Sequence, residues 1–247
     1  VGAHRGGGGG GGENTIPRFQ EALRAGADIL EMDLQASAPG PDGQRVAFVS
    51  HDRELGETTD CRGAFDAKTP EEIRRCRVRG VGAPPPSFAE VLAWCRGRAV
   101  VNAEFKTRDV IEPAIRAVRE HGAYDWVYFQ TRDSLEFYQR ARALDARVAL
   151  LAAPQGPGAQ EQLERLLALA DPRLVVIELH PEIRTPENLA AIHAAGKLAS
   201  ENAWHFGGEW TRWPFRRARC APVFEAGIDI AISKVPEDCV RQRDRLR

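Results

Sequence analysis

Glu31 and Asp33 lie two residues apart in the apolar run Asp28–Gln35. In a strand such residues share a face, so both carboxylates point the same way. Convergent carboxylates repel unless a proton or cation lies between them, and hard oxygen donors suit Mg²⁺ or Ca²⁺. Glu104 and Lys106 repeat the spacing at the end of Ala99–Phe105. Glu104 offers a third metal oxygen and Lys106 a cation for an anionic substrate; a local salt bridge is the plainer alternative. His4 and Arg5 end the run Val1–His4, and His51 follows Arg45–Ser50. The link Ala36–Gln44 holds Pro39, Gly40, Pro41, Asp42 and Gly43, and is too short for a parallel crossover. Its two strands therefore form an antiparallel hairpin. With the turn centred near residue 41, His51 faces Glu31. Two histidines flanking a carboxylate-bound cation, with Arg5 and Lys106 nearby, are the parts needed for acid–base attack on a phosphate ester.

The elements that must position these groups alternate along the chain. Val1–His4, Asp28–Gln35, Arg45–Ser50, Ala99–Phe105, Trp126–Phe129, Val148–Leu151, Leu174–Leu179, Leu198–Ser200 and Ile228–Ile232 read as strands. Helical segments fall at Ile16–Arg24, Ser87–Arg96, Val110–His121, Ser134–Leu144, Gln160–Ala170, Pro186–Ala195 and Phe215–Ala226. Ser87 and Glu90 make a capping box. Repeated β-then-α means a parallel sheet, and setting the hairpin strand aside leaves eight βα units. The fold class is α/β: a (β/α)8 TIM barrel with an extra β-hairpin after the second strand. Its 247 residues match the length of about 250 usual for that barrel, and no linker divides residues 1–247, so we expect one domain. The carboxylates and histidines then collect at the C-terminal ends of the strands, where such barrels keep their active sites.

Composition narrows the function classes. With 34 basic residues against 35 acidic ones, the net charge is −1, and no basic excess exists to bind nucleic acid. No run of 18 apolar residues appears, so no transmembrane helix is expected. Only four of the basic residues are lysines. Cys61, Cys76, Cys95, Cys220 and Cys239 are odd in number and lack a C-x-x-C pairing, which reads as mostly reduced thiols. That favours a cytoplasmic location. A periplasmic or secreted one stays open, because the sequence starts at Val1 rather than Met.

The motifs also resemble a family, the glycerophosphodiester phosphodiesterases. They are Ala3-His4-Arg5-Gly6, Glu13-Asn14-Thr15, Glu31-Met32-Asp33, and Ser50-His51-Asp52 followed by Leu55 and Thr58-Thr59. Pro86 to Leu92, Glu104-Phe105-Lys106 and, near the end, Ala226 to Ser233 continue the likeness. The resemblance implies a TIM-barrel enzyme of lipid metabolism that hydrolyses phosphodiesters with one divalent cation, Mg²⁺ or Ca²⁺. It implies that Glu31, Asp33 and Glu104 hold the metal and that His4 and His51 are the acid–base pair. Arg5 and Lys106 would contact the phosphate, with Glu13 supporting the site. The implied substrate is a small glycerophosphodiester, or a lysophospholipid-like diester, cleaved to a phosphomonoester and an alcohol. A phospholipase D-like lyase releasing a cyclic phosphate is the nearest alternative. A non-catalytic phosphate-ester binding protein is the alternative of another class.

Some features depart from the family pattern. The loop after His4-Arg5 is the run Gly6–Gly12, and Ser233-Lys234 replaces the usual Thr-Asp after the last strand. The usual Trp-Thr motif is not clear in Leu198–Trp204, and the segment from His51 to Pro84 is too short for the larger insertion domain. Trp204, Phe206, Trp210, Trp213 and Phe215 follow the seventh barrel strand and are expected to form a lid. We expect Trp204 to help bind the substrate's alcohol, a choline-like cation or a lipid chain. Arg212, Arg216, Arg217 and Arg219 alongside would instead favour an anionic headgroup or peripheral contact with a membrane. Glu178 and His180, another same-face pair on a strand end, are secondary candidates.

Overall fold

Period-two alternation along short β-rich runs builds the central ring of the computed structural model. It describes residues 1–8, 11–131, 135–206, 209–210 and 217–246. The strands are β1 (Gly2–Ala3), β2 (Ile29–Ala36), β3 (Ala47–Val49), β4 (Val100–Phe105), β5 (Val127–Gln130) and β6 (Ala149–Ala152). They continue with β7 (Leu174–Glu178), β8 (Leu198–Asn202), the short β9 (Glu209–Trp210) and β10 (Arg217–Ala218), and β11 (Ile230–Ser233). Eight of them run parallel in the order β1-β11-β8-β7-β6-β5-β4-β2, and β1 also pairs with β2. The ring is closed, a (β/α)8 barrel. β3 pairs antiparallel with the end of β2 and is the extra hairpin.

Helices lie between the strands: α1 (Ile16–Arg24), α2 (Leu55–Thr58), α3 (Pro70–Arg75), α4 (Phe88–Cys95), α5 (Ile111–His121) and α6 (Leu135–Leu144). The second half adds α7 (Ala159–Ala168), α8 (Pro186–Ala194), α9 (Ala203–Phe206), α10 (Ala221–Glu225) and α11 (Pro236–Leu246). Local chemistry sets several ends. The Ser87 hydroxyl accepts from the Glu90 amide, and the Glu90 carboxylate accepts from the Ser87 amide, the expected capping box on α4. Thr69 and Glu72 do the same for α3. α5 stops at Gly122, whose φ of 60° a glycine adopts without strain.

The same alternation divides the core in two. Leu30, Met32, Val101, Ala103, Phe105 and Phe129 pack with the helices. Ile29, Tyr128, Ala149, Leu151, Val176, Ile230 and Ile232 fill the barrel interior. Further along β2, β5 and β7 the residues in step with them are Glu31, Gln130 and Glu178, which line a cavity with Asn102 of β4 and Asn202 of β8. The barrel is therefore apolar at one end and polar at the other. No helix of the described residues is long and apolar enough to cross a membrane.

Three expectations need correction, and one helix was not foreseen. The hairpin register pairs Leu34 with Val49 and Ala36 with Ala47, one residue away from the arrangement that would put His51 opposite Glu31. The turn is centred between residues 41 and 42, so His51 arrives beyond the end of β3 instead of on it. Phe215–Ala226 is not one helix: β10 precedes α10, which begins only at Ala221. The closing helix α11 had no apolar stripe to announce it, with 11 residues dominated by charge. Finally, four of the five cysteines are bridged, Cys61 to Cys76 and Cys220 to Cys239, with Cα atoms 5.5 and 5.1 Å apart. The odd thiol is Cys95, buried in the core and pushed up to about 11 by burial. Pairing across 15 and 19 residues leaves no spacing motif, which is why the count alone misled.

Candidate active site

Every strand that carries a candidate residue delivers it to one end of the barrel. His4, Arg5, Glu31, His51, Glu104, Lys106 and Trp204 line a single cavity of about 210 Å³, together with Asn102, Gln130, Gln155, Glu178, His180, Asn202 and Ile232. A larger cavity of about 610 Å³ near Tyr138 and Leu166 is lined mainly by apolar groups and holds no acid–base pair. Among the described residues the candidate side chains gather in the smaller, polar one.

Glu31, Asp33 and Glu104 each offer an oxygen, and these oxygens lie within 4.8 Å of one another. Glu31 and Asp33 are buried. Burial, with the charges of Asp33 and Glu104 beside it, holds the Glu31 carboxyl well above the usual carboxylate range. For Asp33 burial works the same way, but Lys106, Arg5 and the Asn14 hydrogen bond outweigh it and hold that carboxyl low. The Lys106 ammonium reaches both Asp33 (2.9 Å) and Glu104 (2.8 Å). So the local salt bridge does form, while Lys106 also lines the cavity. Three convergent carboxylates, two of them buried, with cations drawn to them, are the donor set a hard divalent ion requires, so these residues fit such an ion.

His4 and Arg5 occupy a tight 3₁₀ turn, His4–Gly6, directly after β1. Arg5 has φ of 53°, an uncommon conformation for a side-chain-bearing residue. It turns the Arg5 amide onto Glu31 (2.8 Å) and the guanidinium onto Asp33 (3.2 Å) and Glu13 (3.4 Å). The cramped turn is possible because Gly6 has φ of 80° and a Cβ there would lie 2.9 Å from the Phe19 ring. His4 Nε2 is 3.9 Å from Glu31. Burial, then the charge of Arg5, lowers His4 to about 3, so the ring is neutral. His51 Nδ1 is 2.9 Å from the Asp52 carboxylate. With Nδ1 donating to Asp52, Nε2 is left as the exchanging atom. The His51 carbonyl accepts from the Gln35 side chain, which ties this residue to β2 despite the shifted register.

The sequence reading gave Asn14 no role of its own. Its side chain donates to Asp33 at 2.9 Å, and it accepts from the Asp33 amide at 3.2 Å. Asn14 has φ of 59° and is buried, so it clamps Asp33 from a loop. The quoted motif Glu13-Asn14-Thr15 contained the signal, since a buried Asn tolerates that φ well. Asn14→Ala should weaken Mg²⁺ affinity by about 10–100-fold, the usual effect of losing a group that orients a ligand. Calorimetric titration of the metal-free protein measures it.

Across the cavity, Glu178 and His180 both reach the site. Glu178 accepts from Asn202 (2.9 Å) and Gln130 (3.4 Å), and His180 Nε2 is 3.3 Å away. Asn102 in turn donates to Gln130 at 3.3 Å, so a belt of amides links the two halves of the mouth. Of the expected lid, Trp204 is half-buried and on the cavity wall. Trp213, Phe215, Arg212 and Arg216 lie outside the described residues, as do the side chains of Phe206 and Trp210.

Comparison with known proteins identifies the fold and the family. The chain is 28% identical over 146 residues to a probable glycerophosphodiester phosphodiesterase 2 of Mycobacterium tuberculosis, a match covering 59% of this chain and 52% of that protein. It is 32% identical over 131 residues to a glycerophosphodiester phosphodiesterase of Caldanaerobacter subterraneus, covering 48% and 52% respectively. The match thus spans about half the length of these two relatives. Among solved structures, a glycerophosphodiester phosphodiesterase from Agrobacterium tumefaciens superposes with TM-score 0.75 at 24% identity, covering 98% of both chains. An Oleispira antarctica phosphodiesterase, solved in complex with the product sn-glycerol-3-phosphate, gives TM-score 0.75 at 20% identity, covering 99% and 96%. At such identities these two structures speak for the fold. The pattern of the Glycerophosphoryl diester phosphodiesterase family matches residues 4–150, more than half of the chain and the part that carries His4, Arg5, Glu31, Asp33, His51, Glu104 and Lys106, and the chain belongs to that family.

Proposed function

We propose that the protein hydrolyses glycerophosphodiesters to a phosphomonoester and an alcohol, by acid–base catalysis between His4 and His51 at a divalent cation. The observation that carries this reading is that both histidines line one small polar cavity with Glu31 and Glu104, and the buried Asp33 completes their carboxylate cluster, with oxygens within 4.8 Å of one another. A Mg²⁺ or Ca²⁺ ion held by Glu31, Asp33 and Glu104 would neutralise charge on the non-bridging phosphate oxygens. Arg5 and Lys106 hold the phosphate by charge, and Arg5 also fixes Glu31 and Asp33 in place. His4, largely shielded and neutral, takes the proton from the water that attacks phosphorus. His51, whose ring the Asp52 carboxylate orients through Nδ1, delivers a proton from Nε2 to the departing alkoxide. The two disulfides support an oxidising compartment, and so an exported location over the cytoplasmic one.

³¹P NMR of the protein with glycerophosphoglycerol, with and without EDTA, tests the reaction. The reading predicts EDTA-sensitive appearance of a phosphomonoester. A cyclic phosphate that persists would make the protein a lyase, and an unchanged diester would overturn catalysis.

A further inference from the structure

One face of the Trp204 ring, beside the cavity it lines, already carries a cation. The Lys234 ammonium lies over its ring, 5.5 Å from the centroid. The His4 ring meets it edge-on at 5.0 Å, and the His205 ring does so at 5.7 Å. Lys234 directly follows β11, so its backbone is anchored by the barrel. The glycine run explains how its side chain can lie where it does. Gly8 donates its amide to the Lys234 carbonyl at 2.7 Å, and a Cβ on Gly8 would lie 2.9 Å from Lys234 Cβ and 3.3 Å from its Cγ and Cδ. Only a glycine at position 8 leaves room for that aliphatic stem. Gly8 is itself buried, which closes the contact from solvent.

We infer that Lys234, seated on Gly8 and covering Trp204 beside His4, selects against diesters whose alcohol carries a fixed positive charge and in favour of uncharged or anionic alcohols. This inference deepens the proposed phosphodiesterase reading and rests on it for the site's orientation. A quaternary ammonium gains from an aromatic face only when that face is open and no other cation holds it. Here a choline-like group would displace the Lys234 ammonium or remain beside it, and two like charges at that distance repel. A glycerol or other polyol alcohol meets no such penalty and can hydrogen-bond to the ammonium.

The test compares glycerophosphoglycerol, in which either alcohol facing Trp204 is glycerol, with glycerophosphocholine. The wild-type protein should show kcat/KM at least about tenfold higher for the first. Lys234→Met keeps the stem, removes the charge, and should reduce that ratio by about tenfold, mainly through a gain on glycerophosphocholine. Gly8→Ala should lower the ratio in the same direction by displacing the stem. A wild-type preference for glycerophosphocholine, or a ratio unmoved by Lys234→Met, would overturn the inference. Calorimetric affinities of both diesters for the Mg²⁺-loaded protein read the same preference without turnover. If turnover is absent but that preference and its loss in Lys234→Met persist, the catalytic reading fails and the inference stands. Equal affinities, or no binding of either, would overturn it.

Discussion

His51→Ala should lower kcat for glycerophosphodiester hydrolysis by about 10²–10⁴-fold with little change in KM, the range a general acid supplies. The residue reaches the cavity from the tail of the hairpin and its side chain is about a third exposed (35%). Its loss therefore removes chemistry and spares the fold. His4→Ala should cost a similar factor. The double variant should lose far less than the product of the two, because both histidines act in one proton-transfer sequence. Asp52→Asn should give a smaller fall, about tenfold, since it removes the carboxylate that orients His51. Steady-state kinetics on a soluble diester separates these cases. A fall of only a few-fold for either histidine would remove it from the reaction.

Glu31→Gln should produce the opposite signs in activity and stability. The variant should lose Mg²⁺-dependent activity by about 10³-fold or more, because one of three ligand oxygens loses its charge. Yet the metal-free variant should melt higher than the metal-free wild type. Glu31 is buried within 4.8 Å of two other carboxylates, and Arg5 and Lys106 direct their charges chiefly to Asp33 and Glu104. Replacing a crowded buried carboxylate by a neutral amide relieves repulsion worth about 1–2 kcal/mol, or roughly 2–4 °C for a chain of this length. Added Mg²⁺ should then raise the wild-type melting temperature and leave Glu31→Gln unmoved. A variant that melts lower in EDTA would mean that Glu31 is held by structure and not poised for a cation.

Much of this site was visible in the residue order because the barrel obeys two simple periods. Glu31 with Asp33, Glu104 with Lys106, and Glu178 with His180 each stand at i and i+2 near a strand end, and a pleated strand has no choice but to show such pairs on one side. The hairpin followed from the Pro-Gly-Pro-Asp-Gly link, though the exact opposition of His51 did not, because one residue in the turn shifts the whole register. What stayed hidden depends on loops and on contacts between distant segments. Asn14 reaches Asp33 through a left-handed backbone conformation that no period announces. Cys61 finds Cys76 through folding of irregular segments, and Cys220 finds Cys239 when α11 packs beside α10. The contact of Lys234 with Gly8 and Trp204 joins three places that are distant in sequence. Helix α11 was missed for a different reason: its exposed, charged face gives almost no apolar stripe to read.

The central claim is that Glu31, Asp33 and Glu104 hold one cation without which the two histidines cannot work. The most direct measurement is the rate of glycerophosphoglycerol hydrolysis by EDTA-stripped protein as Mg²⁺ or Ca²⁺ is added back. The account predicts no turnover in the stripped protein and recovery along a one-site saturation curve. Full activity after stripping, with no response to either ion, would contradict it.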